Sequence, residues 1–454
     1  MTKSLTPIKV AFVGGGSQSW GPNLIRDLIF KPEMKQAQLD IVLLDLHPGR
    51  ARAMKRLFDA QCERWQLDRV RVTQTQDARR ALKGANFILI AISTGGLATM
   101  RHDLEIPEKY GLFHTVGDTV GPGGWSRALR NIPVFSRYAE MIAELAPQAY
   151  VLNYTNPMGT LTKVLADFLG PNRVIGLCHG MFETYAFLQA IFNVADEHEL
   201  KLTFGGLNHF FWVLDFTVHG EAGYPLLHKK LRGRQLTYLI DRLATDAHGW
   251  QSRSRLASDL FAQYGYLPYV ADRHTSEFFA SYMASKELME RYGIIRTFIE
   301  DREKEYARSA QWIKDLTDGK ADLGTTPSRE TAADIVAAIA FDKGFTDVVN
   351  MSNLGQIQNL PAGCVVETMG YVDRGGARPL VVGPLPEPIR ALCAPHAEVQ
   401  LRTVTAALAG DPEEALLALV ADPTCASMAA VDIKKMGREL LEANKDYLPE
   451  FFGN

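Results

Sequence analysis

The chain has 454 residues, of which 46% are hydrophobic, and a formal net charge of -3. That length exceeds one small domain and points to two lobes, while the composition is rich enough in core-forming residues to exclude disorder. Acids and bases nearly balance, so nothing in the charge predicts a nucleic-acid or anionic-membrane partner.

In chain order, the opening "MTKSLTPIKVAFVGGG" runs almost at once into a strand and a glycine turn, without the apolar stretch and cleavage site of a signal peptide. "LDIVLLDLH" reads as a second strand, ending in an acid, and "RVRVTQ" is short and β-branched. "ANFILIAIS" is apolar throughout, as strands inside a parallel sheet are. "QAYVLNYTNP" and "NRVIGLCHG" repeat the theme, and helical patterns cover 48–65 and 124–146. The alternation predicts an α/β fold, a Rossmann-type doubly wound parallel sheet.

After about residue 196 the texture changes. "LKLTFGGLNHFFWVLDFTVHG" predicts one long strand or two consecutive ones, antiparallel. A mainly helical region over 225–345 follows, then a mixed tail with "CVVETMGYVD" and "PLVVG" as short strands. The expected division is a doubly wound domain over 1–195 and a mixed α/β domain over 196–454. No apolar run approaches the roughly 18 residues of a membrane helix. The five cysteines are widely spaced and odd in number, which is not a disulfide framework. These features lead us to expect a reduced, cytoplasmic protein.

Gly14, Gly15, Gly16 and Ser17 stand where the first strand meets a helix. Glycines there let the backbone approach a pyrophosphate, and the helix N-terminus offers free N–H groups. A full fingerprint wants glycine at position 19, where this chain has Ser19. Asp45, ending the second strand, suits a ribose 2′-hydroxyl and favours NAD over NADP. His47, Arg50 and Arg52 lie just beyond and keep NADP open, and a glycine turn that binds nothing is the plain structural alternative.

"VLNYTNPMGTLT" places Asn153 and Asn156 after a strand, with Pro157 next. An Asn-Pro bond there can be cis and fix a turn beside a site, or be a simple turn. The arrangement resembles the lactate and malate dehydrogenases, and "GGLATMRHDL" is similar to their mobile active-site loop. Cys178 and His179 then end a strand in "GLCHG", and His209 lies in the apolar "GGLNHFFWV". A lone histidine there would usually be a satisfied core residue. With a Cys-His pair nearby, ligation of a borderline divalent ion explains all three better.

Together with "VGGGSQSWGP", "RHDLEIPEKYGL", "GDTVGPGGWSRALRNIPV" and "DRHTSEFF", these segments resemble the NAD- and metal-dependent family 4 glycoside hydrolases. The resemblance runs over most of the chain. It implies a lactate/malate dehydrogenase-like fold, NAD+ held by Gly14, Gly15, Gly16, Ser17 and Asp45, and a divalent metal, Mn2+ by expectation, on Cys178 and His209. Asn153 would lie against the sugar. Where phospho-glycosidase members tend to carry Cys-Asp or Cys-Asn, this chain has Cys178-His179. "GDTVGPGG" resembles the branch acting on unphosphorylated α-glycosides, and Cys-His-Gly within it is most similar to the α-glucuronidases. An α-glucosidase or α-galactosidase is the alternative within the family; a hydroxy-acid or sugar dehydrogenase is the alternative outside it.

The implied reaction is redox-neutral and departs from the usual two-carboxylate scheme. NAD+ oxidises C3, a base removes the acidified C2 proton, the C1 oxygen leaves, water adds, and the hydride returns. Asp272 would be the base, with Tyr269 in reserve. His179 and Asp118 are the two candidates for the acid. Arg101 and Arg273 are candidate substrate contacts, and an arginine fork would suit a uronic carboxylate. The expected partners are a small α-glycoside and further copies of the chain, as a homodimer or homotetramer, with no nucleic acid and no membrane.

Overall fold

The computed structural model describes residues 5–243 and 254–452. The first four residues, and residues 244–253 of the expected helical region, lie outside the described residues. The strands are β1 (Thr6–Val13), β2 (Ala37–Leu44), β3 (Val70–Thr75), β4 (Phe87–Ile90), β5 (Tyr150–Asn153), β6 (Val174–Gly176), β7 (Leu200–Leu207), β8 (Phe210–Val218), β9 (Glu221–Ala222), β10 (Leu267–Pro268), β11 (Phe345–Ser352), β12 (Val365–Asp373) and β13 (Gly376–Pro379). They form one sheet in the order β10-β8-β7-β12-β11-β6-β5-β4-β1-β2-β3, with β13 on β12 and β9 on β8.

Strands β1 to β6 are mutually parallel, as their apolar runs and helical spacers predict. Successive side chains of a strand point to opposite faces, so each strand feeds two cores. Val10 and Phe12 join Leu39, Ile41 and Leu89 on one face, under the helices Gly21–Phe30, Pro48–Arg64 and Ala332–Phe341. Ala11 and Val13 join Val42, Ile88 and Val151 on the other, under the helix Gly121–Leu145. Both faces are covered, which is the doubly wound arrangement.

The second half of the chain extends the same sheet. β11 pairs antiparallel with β6 through Asn350 and Gly176, and β12 and β7 follow, also antiparallel. "LKLTFGGLNHFFWVLDFTVHG" is a hairpin, β7 against β8, turning at Asn208-His209. The helices Glu387–Ala409, Pro412–Val420 and Ala430–Ala443 return to pack on Gly121–Leu145 and its neighbour Gly96–Lys109. Among the described residues no helix is long and apolar enough to cross a membrane. All five cysteines are free thiols.

Two local expectations need correction, and one strand is added. "PLVVG" is not a strand: β13 ends at Pro379, and only Gly383 makes an isolated bridge, to Ile357. "FTDVVNMS", at the start of the expected mixed tail, is a further strand, β11, that the sequence reading does not name. Its apolar and polar residues mix, and it is buried by the strands on either side. The helix expected from 124 begins at Gly121, because "GPGG" is buried as part of its first turn. A Cβ on Gly124 would come within 2.4 Å of the Thr119 carbonyl carbon, so the glycine lets the helix start close under the preceding loop.

Candidate active site

The glycine turn closes β1 against its neighbours. The N–H groups of Gly14 and Gly15 both donate to Leu44 O, at 2.9 and 3.0 Å, and Ser17 N–H returns to Gly14 O at 2.8 Å. Gly14 has φ +86°, and a Cβ there would sit 2.1 Å from Ala91 O at the end of β4. Asp45 reaches back across the turn, where its Oδ2 accepts from Gly16 N–H at 2.9 Å and its Oδ1 from His47 N–H at 2.7 Å. The next helix starts only at Gly21, later than the sequence pattern predicts.

Asp118 follows a loop that one buried carboxylate organises. Glu277 Oε1 accepts from the N–H groups of Thr115, Val116 and Gly117 at 2.9, 2.9 and 2.8 Å, and lies 2.9 Å from His114 Nδ1. His114 Nε2 accepts from Gly123 N–H at 2.9 Å, which joins the loop to the start of the next helix. At the end of this loop, Asp118, His209 and His274 present potential ligand atoms within 4.8 Å of one another. The two imidazole rings lie 4.0 Å apart between centroids. His209 occupies the β7–β8 turn with φ +63°, a left-handed conformation that is uncommon for a residue other than glycine and frequent at functional sites.

A hydrogen-bond relay sets the histidine tautomer. Thr119 Oγ1 donates to Asp118 Oδ1 at 2.8 Å and lies 2.9 Å from His209 Nδ1. A hydroxyl has one proton to give, so His209 Nδ1–H is the donor in the second contact, and its Nε2 lone pair is left to bind a cation. Burial pushes His209 down to about 4, against the pull of Asp118, so the ring stays neutral near pH 7. Burial also lowers His274, reinforced by His209. Burial by itself would raise Asp118, but His274 and His209 when they carry a proton, the Arg127 charge throughout, and the Thr119 hydroxyl hold the carboxyl below its usual range. One carboxylate and two neutral imidazoles are a donor set for a borderline divalent ion.

Cys178 follows β6 and is buried, with its Sγ accepting from Gly180 N–H at 3.4 Å. Burial pushes the thiol up, and Glu367 adds to the shift, so a thiolate here needs a cation beside it. Cys178 is not one of the three residues grouped around His209. His179 is exposed, its ring 5.9 Å from that of Trp20.

The other expected residues are placed as follows. Asn153 is fully buried; its Nδ2 donates to Thr155 O and Thr162 Oγ1, and its Oδ1 accepts from Thr155 N–H. It shapes the loop whose cis Asn156-Pro157 bond the sequence allows for, and from that loop Asn156 Nδ2 donates to Asp118 Oδ2 at 3.1 Å. Asp272 is buried at the foot of the helix Arg255–Tyr264, where its oxygens accept from Leu256 and Ala257 N–H at 2.8 and 2.9 Å. Tyr269 is buried, donates to Glu183 Oε2 at 2.8 Å, and stacks on His209 with centroids 6.1 Å apart. Arg101 lies at the surface among Glu105, Glu300 and Glu303. Arg273 donates to Thr115 O and to Thr297 Oγ1.

The family profile described as "Family 4 glycosyl hydrolase" matches residues 9–194, and "Family 4 glycosyl hydrolase C-terminal domain" matches 204–425. An α-galacturonidase of Thermoanaerobacterium saccharolyticum is 32% identical over 460 residues, 97% of this chain and 96% of that protein. The chain belongs to family 4 of the glycosyl hydrolases. The crystal structure of a glucosidase-like protein, lplD of Bacillus subtilis, superposes with a TM-score of 0.88 at 29% identity, covering 96% of this chain and all of that one. A 6-phospho-α-glucosidase from gut microorganisms, solved with NAD and Mn2+, shares the fold at 20% identity and a TM-score of 0.79, over 97% and 99% of the two chains.

For a family 4 glycosyl hydrolase, sequence reasoning misses four residues of this site. His274 and Glu277 stand in "DRHTSEFF", a motif that points by itself to Asp272 and Arg273. The i,i+3 spacing of His274 and Glu277, which places side chains on one side of a helical turn, is the available signal. Thr119 follows Asp118 directly. Arg127 lies on the early turns of Gly121–Leu145; its Nε donates to Asn156 O at 3.0 Å, and its charge pulls on Asp118.

Proposed function

We propose that this family 4 glycosyl hydrolase is an NAD+- and Mn2+-dependent α-glycosidase that acts on unphosphorylated uronic α-glycosides, α-galacturonides first. The observation that carries the reading is the grouping of Asp118, His209 and His274 at the loop held by Glu277. The α-galacturonidase relative and the NAD- and Mn2+-containing neighbour support it.

The two imidazoles of this group suit a divalent ion, the family resemblance adds the Cys178 sulfur from outside the group, and Asp118 is left for the chemistry. His209 Nε2 and the Cys178 sulfur would hold the ion, with His274 close by. The glycine turn and Asp45 fit a dinucleotide, the turn supplying close backbone approach and Asp45 a carboxylate for a ribose hydroxyl. When bound, NAD+ supplies a reversible hydride acceptor and the metal a Lewis acid for the sugar hydroxyls. Residues 1–195 would carry the dinucleotide, and 196–454 the rest of the site and the contacts of a homodimer or homotetramer.

The chain's own residues do the rest. Asp118, kept ionised by Arg127 and the Thr119 hydroxyl, takes the C2 proton. Asn156 and Thr119 fix its two oxygens. His179, exposed just after Cys178, would assist the leaving oxygen. Asp272 supports the site as the anchor of a neighbouring helix, and Asn153 as the brace of the Asn156 loop. Arg127 commits Nε to Asn156 O, which leaves its two Nη groups for a uronic carboxylate.

The test is a panel of p-nitrophenyl α-galacturonide, α-glucuronide, α-galactoside and α-glucoside, with reductant, with and without NAD+ and Mn2+. Cleavage of the galacturonide, dependent on both additions and with solvent deuterium at C2 in D2O, is the expected result. Stoichiometric NADH instead would make the protein a dehydrogenase. Asp118→Asn should stop C2 exchange; if Asp272→Asn alone stops it, the base is Asp272.

A further inference from the structure

A buried polar row crosses the sheet where its parallel and antiparallel parts meet. Asn153 on β5 is level with Gly176 on β6, Gly176 with Asn350 on β11, Asn350 with Glu367 on β12, and Glu367 with Gly206 on β7. Central strands covered on both faces ordinarily carry apolar side chains. Here Asn153, Asn350 and Glu367 are each 0% exposed. Gly176 gives Asn350 room: a Cβ there would lie 3.0 Å from Asn350 Cβ.

Glu367 leads to the metal-binding groups. Asn208 Nδ2 donates to Glu367 Oε2 at 2.8 Å. The same Asn208 side chain lies beside the Cys178 thiol. Asn208 also precedes His209, which holds the left-handed position of the β7–β8 turn. Glu367 Oε1 and Asn208 Oδ1 have no hydrogen-bond partner among the described residues, and the Asn350 amide lies against the Glu367 carboxyl. A buried polar group left unpaired forfeits its hydration without return. A cluster of them in a sheet centre is a penalty that a packing role alone would not require.

We infer that Glu367 is a positioning residue for the metal centre. It acts through Asn208, on which it fixes both the turn that presents His209 and the amide that meets the Cys178 sulfur. The inference rests on the assignment of Cys178 and His209 as ligands made above. Partners of this outer kind change metal affinity by roughly 10–100-fold when they are lost.

The test uses Co2+ as the probe, because a thiolate-to-Co2+ charge-transfer band reports the Cys178 bond without turnover. Glu367→Gln keeps an acceptor oxygen for Asn208; Glu367→Met keeps the length and removes it. Glu367→Gln should titrate with Co2+ close to wild type and show the same band. Glu367→Met should bind Co2+ roughly 10–100-fold more weakly, with a shifted or weakened band, while NAD+ binding is retained. Asn208→Ala, in a hairpin turn rather than the sheet centre, should reproduce the loss if Glu367→Met does not fold. Wild-type affinity and an unaltered band in Glu367→Met, or in Asn208→Ala, would overturn the positioning role alone. Absence of any thiolate band in wild type would overturn the Cys178 assignment, and the inference with it.

Discussion

Replacing Glu277 with alanine removes one oxygen that serves three backbone N–H groups and sits against His114 Nδ1. All of this is buried; the two side chains are 0% and 1% exposed. A buried donor left without a partner costs about 1–3 kcal/mol, so the three backbone groups sum to about 3 kcal/mol even at the low end. We expect a loss of about 3–5 kcal/mol, a large part of the stability of an ordinary domain. Glu277→Gln keeps an acceptor and should cost about 1–2 kcal/mol, the charge assistance alone. Urea unfolding of both variants and wild type measures this directly. Because the loop runs into Asp118, Glu277→Gln should also lose activity beyond any loss of folded protein. A Glu277→Ala midpoint equivalent to less than about 1 kcal/mol of destabilisation would refute the reasoning, since it would mean the loop finds other acceptors.

Three more outcomes follow from the same site. His209, neutral in the fold down to about pH 4, takes a proton in the unfolded chain from about pH 6.5, so stability falls as pH drops through that window, by about 3 kcal/mol at most. Thermal melts of metal-free wild type and His209→Asn at pH 7.5 and 4.5 check it; equal losses in the two proteins would contradict it. Burial raises the Cys178 thiol, so metal binding must displace its proton, and Mn2+ affinity should rise with pH by about tenfold per unit. Isothermal titration across pH 6–8 should show that slope flattened in Cys178→Ser, and an unchanged slope would remove the thiol from the metal centre. Arg127→Met should lower kcat/KM on the galacturonide by roughly 10–100-fold, the contribution of a charged hydrogen bond, while sparing any residual cleavage of the neutral galactoside. Equal losses on both substrates would make Arg127 a structural brace for Asn156.

The first six strands, the glycine turn with its acid, and the β7–β8 hairpin were legible in the sequence because each is written in local pattern. Apolar runs, spacer helices and turn residues act over a few positions, and nothing distant has to be known to read them. Cys178, His209 and Asp118 stood out in the same way, as chemically telling residues at strand and loop ends. Their company did not. His114 and Glu277 are 163 residues apart, and Asn208 and Glu367 are 159 apart. The family resemblance implies Asp272 as the base, and only the fold shows two helix N–H groups on its oxygens. β11 was hidden because its burial comes from β6 and β12 rather than from its own alternation. The sequence by itself determined which residue types could do the chemistry and which segments would be strands. The tertiary structure decided which buried polar groups face one another, because a carboxylate's role depends on the donors that reach it, and those donors come from distant parts of the chain.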